Sequence, residues 1–379
     1  MSTAAVKAEM GTVVEVLHAH DPQEFRRWDE LACTAPATDA YYRPGYVSAY
    51  EPLENSRAVA LRLNIKQTEF LLPLLIRPIL DKSGARHATD ALTPYGYGGL
   101  LPLGTRPPNS EAMLEVIATL REWCALHKLV ACLIRLHPLL YYAELLRQPL
   151  HDNAGAWLSA PSPTTAIDLQ NWQGERSLLR GMSENRRRNL AKASQMLRTT
   201  WHAGADASAL DTFRELYGAK MQELGAREFF FFPREYYTRM SQGLGENFVT
   251  VIAWAGERPV GAAIFLRGPR WAHYHLGATN QMGRELSAST LLIHEGARWA
   301  AQARCQLLHL GGGMQKDDSL MKFKSSFGGP RFFYASLTVL GDPDGYDQLC
   351  RDKAAWPYGA VEPPRAVMAG IPAKVLKRV

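Results

Sequence analysis

Two groups of residues late in this chain have the types and spacing for chemistry on an anionic, acyl-bearing carrier. Lys324, with Phe323 beside it, follows a strand-like run over 306–310 and a triple glycine, in LGGGMQKDDSLMKFKSS. Glycines after a strand free the backbone for a tight exit or a close ligand approach, and the lysine beyond them is a mobile cation. Arg284, Ser287 and Ser289 stand where another strand-like run, 271–277, gives way to an amphipathic helix over 287–303. A helix N-terminus directs N–H groups and the positive end of its dipole at an anion. A cation stabilises negative charge as it develops on an acyl oxygen. Acyl transfer from a phosphate-bearing carrier would use both devices.

Three further groups could serve that chemistry. The run 175–197 reads as one basic helix on which Arg180, Arg188 and Lys192 share a face, with Arg187 beside them. Leu179, Met182, Asn189, Ala193 and Met196 mark the opposite, packed stripe, and Arg186 falls among these. Seven basic residues from Arg176 to Arg198 face one acid, Glu184, and arginine forks suit phosphate. The loop TPYGYGGL at 93–100 offers Tyr95 and Tyr97 as stacking faces between glycines. His273 and His275 alternate on one strand and share a face, where His275 could take a proton from an amine. No histidine, cysteine or carboxylate set has metal-ligand spacing, so neither a metal nor a resident cofactor is expected.

As a whole, 271–330 resembles the C-terminal half of the Fem transferases, GNAT-fold enzymes that move amino acids from aminoacyl-tRNA onto amines. The resemblance implies that Phe323 stacks on the terminal adenosine and that Lys324 stabilises the oxyanion. It further implies that the basic helix meets acceptor phosphate or tRNA backbone, and that Tyr95 and Tyr97 line the acceptor site. A CoA-dependent GNAT enzyme carries R/Q-x-x-G-x-G/A before this helix. Here Arg284-Glu-Leu-Ser287-Ala-Ser289 puts serine at both small positions, which narrows the approach of a pyrophosphate. The implied partners are therefore aminoacyl-tRNA and a small amine-bearing acceptor. The alternative is a GNAT-type N-acyltransferase using acyl-CoA in polysaccharide or natural-product biosynthesis. No sustained heptad run supplies the coiled-coil arm common in cell-wall Fem enzymes. The segment 360–379, AVEPPRAVMAGIPAKVLKRV, resembles the closing segment of hexapeptide-repeat acyltransferases, but no hexad coils precede it.

The elements that must position these residues read as α/β. The chain has 379 residues, 46% hydrophobic and 21% charged, with a net charge of +6. That length suits two cores. We expect two tandem GNAT-like domains with mixed central sheets flanked by helices: 1–170, then 171–345 with the donor motifs, then a proline-containing tail, 346–379. Expected strands are 11–18, 58–63, 69–76, 129–136, 247–254, 259–267, 271–277, 306–310 and 331–340. Helices are expected over 21–33, 110–127, 175–197, 209–224, from 233, and over 287–303. Pro73 suggests a sheet edge or bulge. Five cysteines without CxxC spacing read as reduced thiols. The absence of an apolar leader and of any apolar run longer than 70–76 gives a cytoplasmic expectation with no membrane span. GxSxG, P-loop and GxGxxG patterns do not occur in a suitable context.

Overall fold

The structure is a computed structural model that describes residues 6–7, 13–65, 68–80, 86–147, 150, 155–313 and 318–353. The segment 360–379 lies outside these. All five cysteines are free thiols. Among the described residues, no helix is long and apolar enough to cross a membrane.

The chain divides into two compact units, each built on its own mixed sheet. The first comprises the described residues of 1–37, 41–161 and 334–379. Its helix Pro22–Thr34 begins as its sequence dictates: Asp21 accepts from the Gln23 and Glu24 N–H groups, and proline occupies the first turn. The antiparallel pair Arg57–Ile65 and Thr68–Leu80 forms the middle of the sheet. Pro73 is not at a sheet edge. On the side away from Arg57–Ile65, its strand pairs Phe70 and Leu71 with Leu101–Pro102, then Leu75–Leu80 with Arg86–Leu92. Pro73 falls between the two partners, where no ladder donor is needed. Helix Ser110–Leu126 packs Met113, Val116, Ile117, Leu120 and Trp123 into this core at helical spacing.

The second unit comprises 38–40 and 162–333. Its strands run, in sheet order, Arg198–Ala203, Phe248–Ala255, Arg258–Arg267, Trp271–Thr279, Leu307–Gly311, Ser162–Asp168 and Arg331–Tyr334. The sheets take strands from both halves of the sequence. Ser162–Asp168, within 1–170, joins the second sheet; Ser336–Leu340, within 171–345, joins the first.

Three elements differ from their expected form. The single strand over 331–340 is two, Arg331–Tyr334 and Ser336–Leu340, interrupted at Ala335 and shared between the sheets. The basic helix breaks at Met182–Ser183 into Glu175–Gly181 and Glu184–Met196, because Ser183 caps the second with its hydroxyl on the Arg186 N–H. A short helix, Gln281–Glu285, precedes Ala288–Gln302.

Candidate active site

The strands Trp271–Thr279 and Leu307–Gly311 run parallel but pair over only three residues, Trp271–His273 with Leu307–His309. Beyond this the first strand bulges. Its register against Arg258–Arg267 steps from Phe265↔Tyr274 to Ile264↔Leu276, leaving His275 as the extra residue. A bulge re-aims side chains and is common beside active sites. Parallel strands that part at their C-terminal ends open the sheet where α/β proteins receive ligands.

Lys324 sits at this opening, on the short helix Ser319–Ser325, whose start is capped by Asp318 on the Met321 N–H. Its Nζ donates to the Gly312 carbonyl at 2.7 Å, just past one strand. It also lies 5.8 Å from the Tyr274 ring on the other strand. Tyr274 lies forward along its strand over Gly277, where any Cβ would collide with the phenol. Only 8% of Lys324 is exposed. Burial pushes its amine down to about 8 from 10.5, against a smaller upward pull from Asp318. An ammonium has three N–H donors. One is held by Gly312, and among the described residues the other two have no hydrogen-bond partner, so they can meet charge on a reacting oxygen.

Phe323 packs against the core of the second unit beneath Arg186, whose guanidinium carbon lies 4.3 Å from its ring centre. Arg186 is the residue whose importance the sequence concealed. It points inward with Met182, Leu190 and Ala193, and donates from Nε to Ser326 Oγ at 2.9 Å and from Nη1 to Thr290 Oγ1 at 2.7 Å. Its spacing four residues from Met182 and from Leu190 was the available signal.

The other basic residues face solvent. Arg187 donates to the carbonyls of Met182 and Leu179, closing the end of Glu175–Gly181. Arg188 pairs with Glu184 on the surface at 3.0 Å, and Lys192 donates to the Glu285 carbonyl at 2.8 Å. Arg180 lies on a different helix from Arg188 and Lys192, so the expected three-residue face reduces to the latter two.

The turn before Ala288–Gln302 keeps an unusual backbone. Ser287 adopts φ +62°, the left-handed region that favours glycine, and its side chain makes no cap bond. The Ser289 and Thr279 hydroxyls are 3.5 Å apart. Arg284 is turned to the surface, pairing with Glu223 at 3.0 Å and donating to the Thr279 carbonyl at 3.3 Å.

His275 is buried, with its Nε2 2.6 Å from the Tyr236 hydroxyl. Burial, helped by the neighbouring His273, pushes it down to about 3. His273 Nε2 lies 2.6 Å from Asp39 Oδ2, and both side chains are fully buried. Nothing local in the sequence connects Asp39 to His273, which is 234 positions away. Lys324 is on the side of Tyr274, which packs on the core of Glu184–Met196 and Ala288–Gln302, whereas His275 is directed to Arg234–Leu244. The strand thus separates the two.

Tyr95 and Tyr97 belong to an aromatic cluster of the first unit. The Tyr95 carbonyl accepts from the Tyr46 hydroxyl, and Tyr97 makes edge contacts with Tyr41 and Tyr334. Arg135 lies over the Tyr95 and Tyr334 rings and donates to the Gly96 carbonyl.

Comparison with known proteins agrees with this architecture. Residues 180–325 match the family described as acetyltransferase (GNAT) domain. No curated protein sequence matches the chain. Among solved structures, FemX is 12% identical and covers 86% of this chain and 98% of its own, with a TM-score of 0.66. A domain assigned to a lysylphosphatidylglycerol synthetase of Agrobacterium fabrum is 12% identical, covering 90% of this chain and 99% of its own, with a TM-score of 0.54. L-PGS from Bacillus licheniformis is 11% identical, covering 84% and 91%, with a TM-score of 0.50. At these identities the likeness is one of fold: two mixed sheets flanked by helices in a tandem GNAT-like arrangement. With an acetyltransferase (GNAT) domain over 180–325 on that fold, the chain is an acyltransferase.

Proposed function

We propose that this acyltransferase forms an amide by moving an aminoacyl group from aminoacyl-tRNA to a small amine, as the Fem resemblance implies. The observation that carries the reading is Lys324: a buried ammonium at the parting of two parallel strands, held among the described residues by one carbonyl. The acceptor amine attacks the ester carbonyl, and Lys324 stabilises the resulting oxyanion. The C–N bond forms first to give that oxyanion, and its collapse breaks the C–O bond to the ribose. The proton lost by nitrogen passes to the departing ribose hydroxyl. His275, pushed down to about 3, is too weak a base to take that proton at neutral pH, and in this scheme it orients Tyr236.

Phe323 supplies a stacking face for the terminal base, while Ser287 and Ser289 line the donor side with Arg284 at its rim. Arg187, Arg188 and Lys192 meet phosphate on the solvent side, where Arg188 gives up a surface ion pair worth about 0–1 kcal/mol. Tyr95 and Tyr97 are assigned to the acceptor.

Acyl-CoA is the second reading, favoured by the left-handed backbone at Ser287, the conformation that glycine serves in a CoA-binding turn. The two are separated by giving purified protein charged tRNA or acyl-CoA with one panel of amines. Product formation abolished by RNase supports aminoacyl-tRNA. Product from acyl-CoA alone sinks that reading and leaves the CoA enzyme.

A further inference from the structure

Arg186 is a buried charge without a buried counter-charge. Among the described residues no carboxylate pairs with it; its bonds are to two hydroxyls, and its plane lies near two phenyl rings, at 4.3 Å from Phe323 and 5.2 Å from Phe327. Burial pulls its pKa below the ordinary 12.5, a sign that the site disfavours the charge it holds. In a helix stripe otherwise made of Leu190 and Ala193, an apolar side chain would avoid that penalty.

An arginine offers what leucine or methionine cannot: a rigid fork that reaches two elements in fixed directions. One arm meets Thr290 in the first turn of Ala288–Gln302. The other meets Ser326, whose hydroxyl donates onward to the Phe323 carbonyl at 2.5 Å. The Ser183 N–H, three residues before Arg186, donates to the Ser326 carbonyl at 2.9 Å. The C-terminal end of Ser319–Ser325 is therefore held by backbone, hydroxyl and ring contacts that converge on the start of Glu184–Met196. Lys324 is the residue after Phe323 in that helix.

We propose that Arg186 is a positioning residue for acyl transfer, clamping the Ser319–Ser325 helix to the first turn of Ala288–Gln302. The clamp keeps the Phe323 ring in place and Lys324 directed at Gly312 and Tyr274. Arg186 itself touches no reacting atom. The inference rests on the reading of Lys324 as the group that stabilises the oxyanion.

The test uses the full chain and a probe that needs no substrate: competitive labelling of Lys324 by acetic anhydride across pH, read by peptide mass spectrometry. In Arg186→Met the helix loosens and Lys324 is rehydrated. Its titration moves up toward the ordinary lysine value, and its labelling at neutral pH relative to a surface lysine changes with it. Turnover falls by roughly tenfold or more, mainly in kcat, as expected when a reacting group is slightly misplaced. Arg186→Lys, which keeps the charge but loses the fork, restores only part of both. Ser326→Ala deletes one acceptor with little change in volume and shifts the titration in the same direction by less. It decides the matter if Arg186→Met does not fold. A folded Arg186→Met, or failing that Ser326→Ala, whose Lys324 titration and kcat equal those of the parent overturns the clamp. Lys324→Met in the same assays separates the two claims. If it retains turnover, the functional reading fails whatever Arg186 does. If it is inactive while the Arg186 variants are unchanged, only the clamp fails.

Discussion

Lys324 and His275 are both buried bases with lowered pKa values, so each makes stability rise with pH, in different windows. The folded chain lets go of the Lys324 proton at about 8, the unfolded chain at 10.5. Below 8 the buried charge costs stability, and stability rises with pH between those values because the unfolded state then binds more protons. Activity that needs the ammonium runs the other way and declines as pH rises through about 8. Lys324→Met should therefore abolish most turnover while leaving the protein as stable or more so at pH 7. The gain is at most on the order of 3 kcal/mol, less about 1.5–3 kcal/mol for the lost charge-assisted bond to Gly312. A thermal melt beside a rate measurement checks this, and a melting temperature several degrees lower would show that the lysine is structural. His275 titrates near 3 when folded against 6.5 ordinarily, so stability is present above pH 6.5 and lost as pH falls toward 3. Replacing His275 by Gln should flatten that acid limb in denaturant titrations from pH 7 to 4. An unchanged limb would mean that His275 does not titrate as a buried group.

At the scale of elements, much of what positions the site was legible because it rests on local signals, but the short helix Ser319–Ser325 that carries Lys324 was not expected. The Asp21 cap, the helical stripe from Met113 to Trp123, the hairpin strands around 255–259 and the helix after 287 all follow from spacing and capping. The break in the basic helix did not show, since Ser183 within a helix-period pattern reads equally well as an interior residue. Its cost was the misplacement of Arg180; Arg186 was placed on the packed stripe but given no role. The site's contacts were less legible than its elements: Lys324 to Gly312 and Arg186 to Thr290 and Ser326 join residues whose spacing no periodicity sets. The same junction yields a prediction. Gly328 has φ +79°, and a Cβ there would run into the Gly181 carbonyl. Gly328→Ala should lose about 1–3 kcal/mol of stability and displace the end of Ser319–Ser325. Turnover should then fall more than thermal unfolding of the native fraction explains, and normal kcat at full folding would argue against it. On the outer face, Arg188 and Lys192 make only weak surface contacts. Replacing both by Ala should lower the slope of log affinity against log salt for tRNA by about 1–2, each phosphate contact counting for roughly 1. An unchanged slope would count against the proposed tRNA contact at this face.

For the whole molecule, the two sheets cannot be separated by one cut in the chain, and this has a measurable consequence. Sequence order suggested a boundary at 170/171, because strands and helices recur there in a similar order. Order along the chain does not reveal which sheet a strand enters. Ser336–Leu340 lies in the first sheet between Ala131–Arg135 and Ala156–Leu158, hydrogen-bonded to both, and adds Leu337 and Val339 to the first core. A fragment 1–170 lacks that strand. It leaves two strand edges unpaired and a hole where two fully buried side chains stood. Emptying one such site costs about 2–5 kcal/mol, so the loss approaches the roughly 5–15 kcal/mol that holds a whole domain together. The fragment also carries Ser162–Asp168, which pairs with Leu307–Gly311 in the other sheet and in the fragment has no partner to join. Fragment 1–170 should therefore show no cooperative urea transition and should associate through its open edges. Adding a peptide spanning 334–353 should restore a transition, because it returns the missing strand together with the helix Pro343–Lys353 that follows it. A cooperative melt of 1–170 alone, with near-native ellipticity, would show instead that the strand from 336 to 340 is dispensable and that the first unit holds its sheet without help from the far end of the chain.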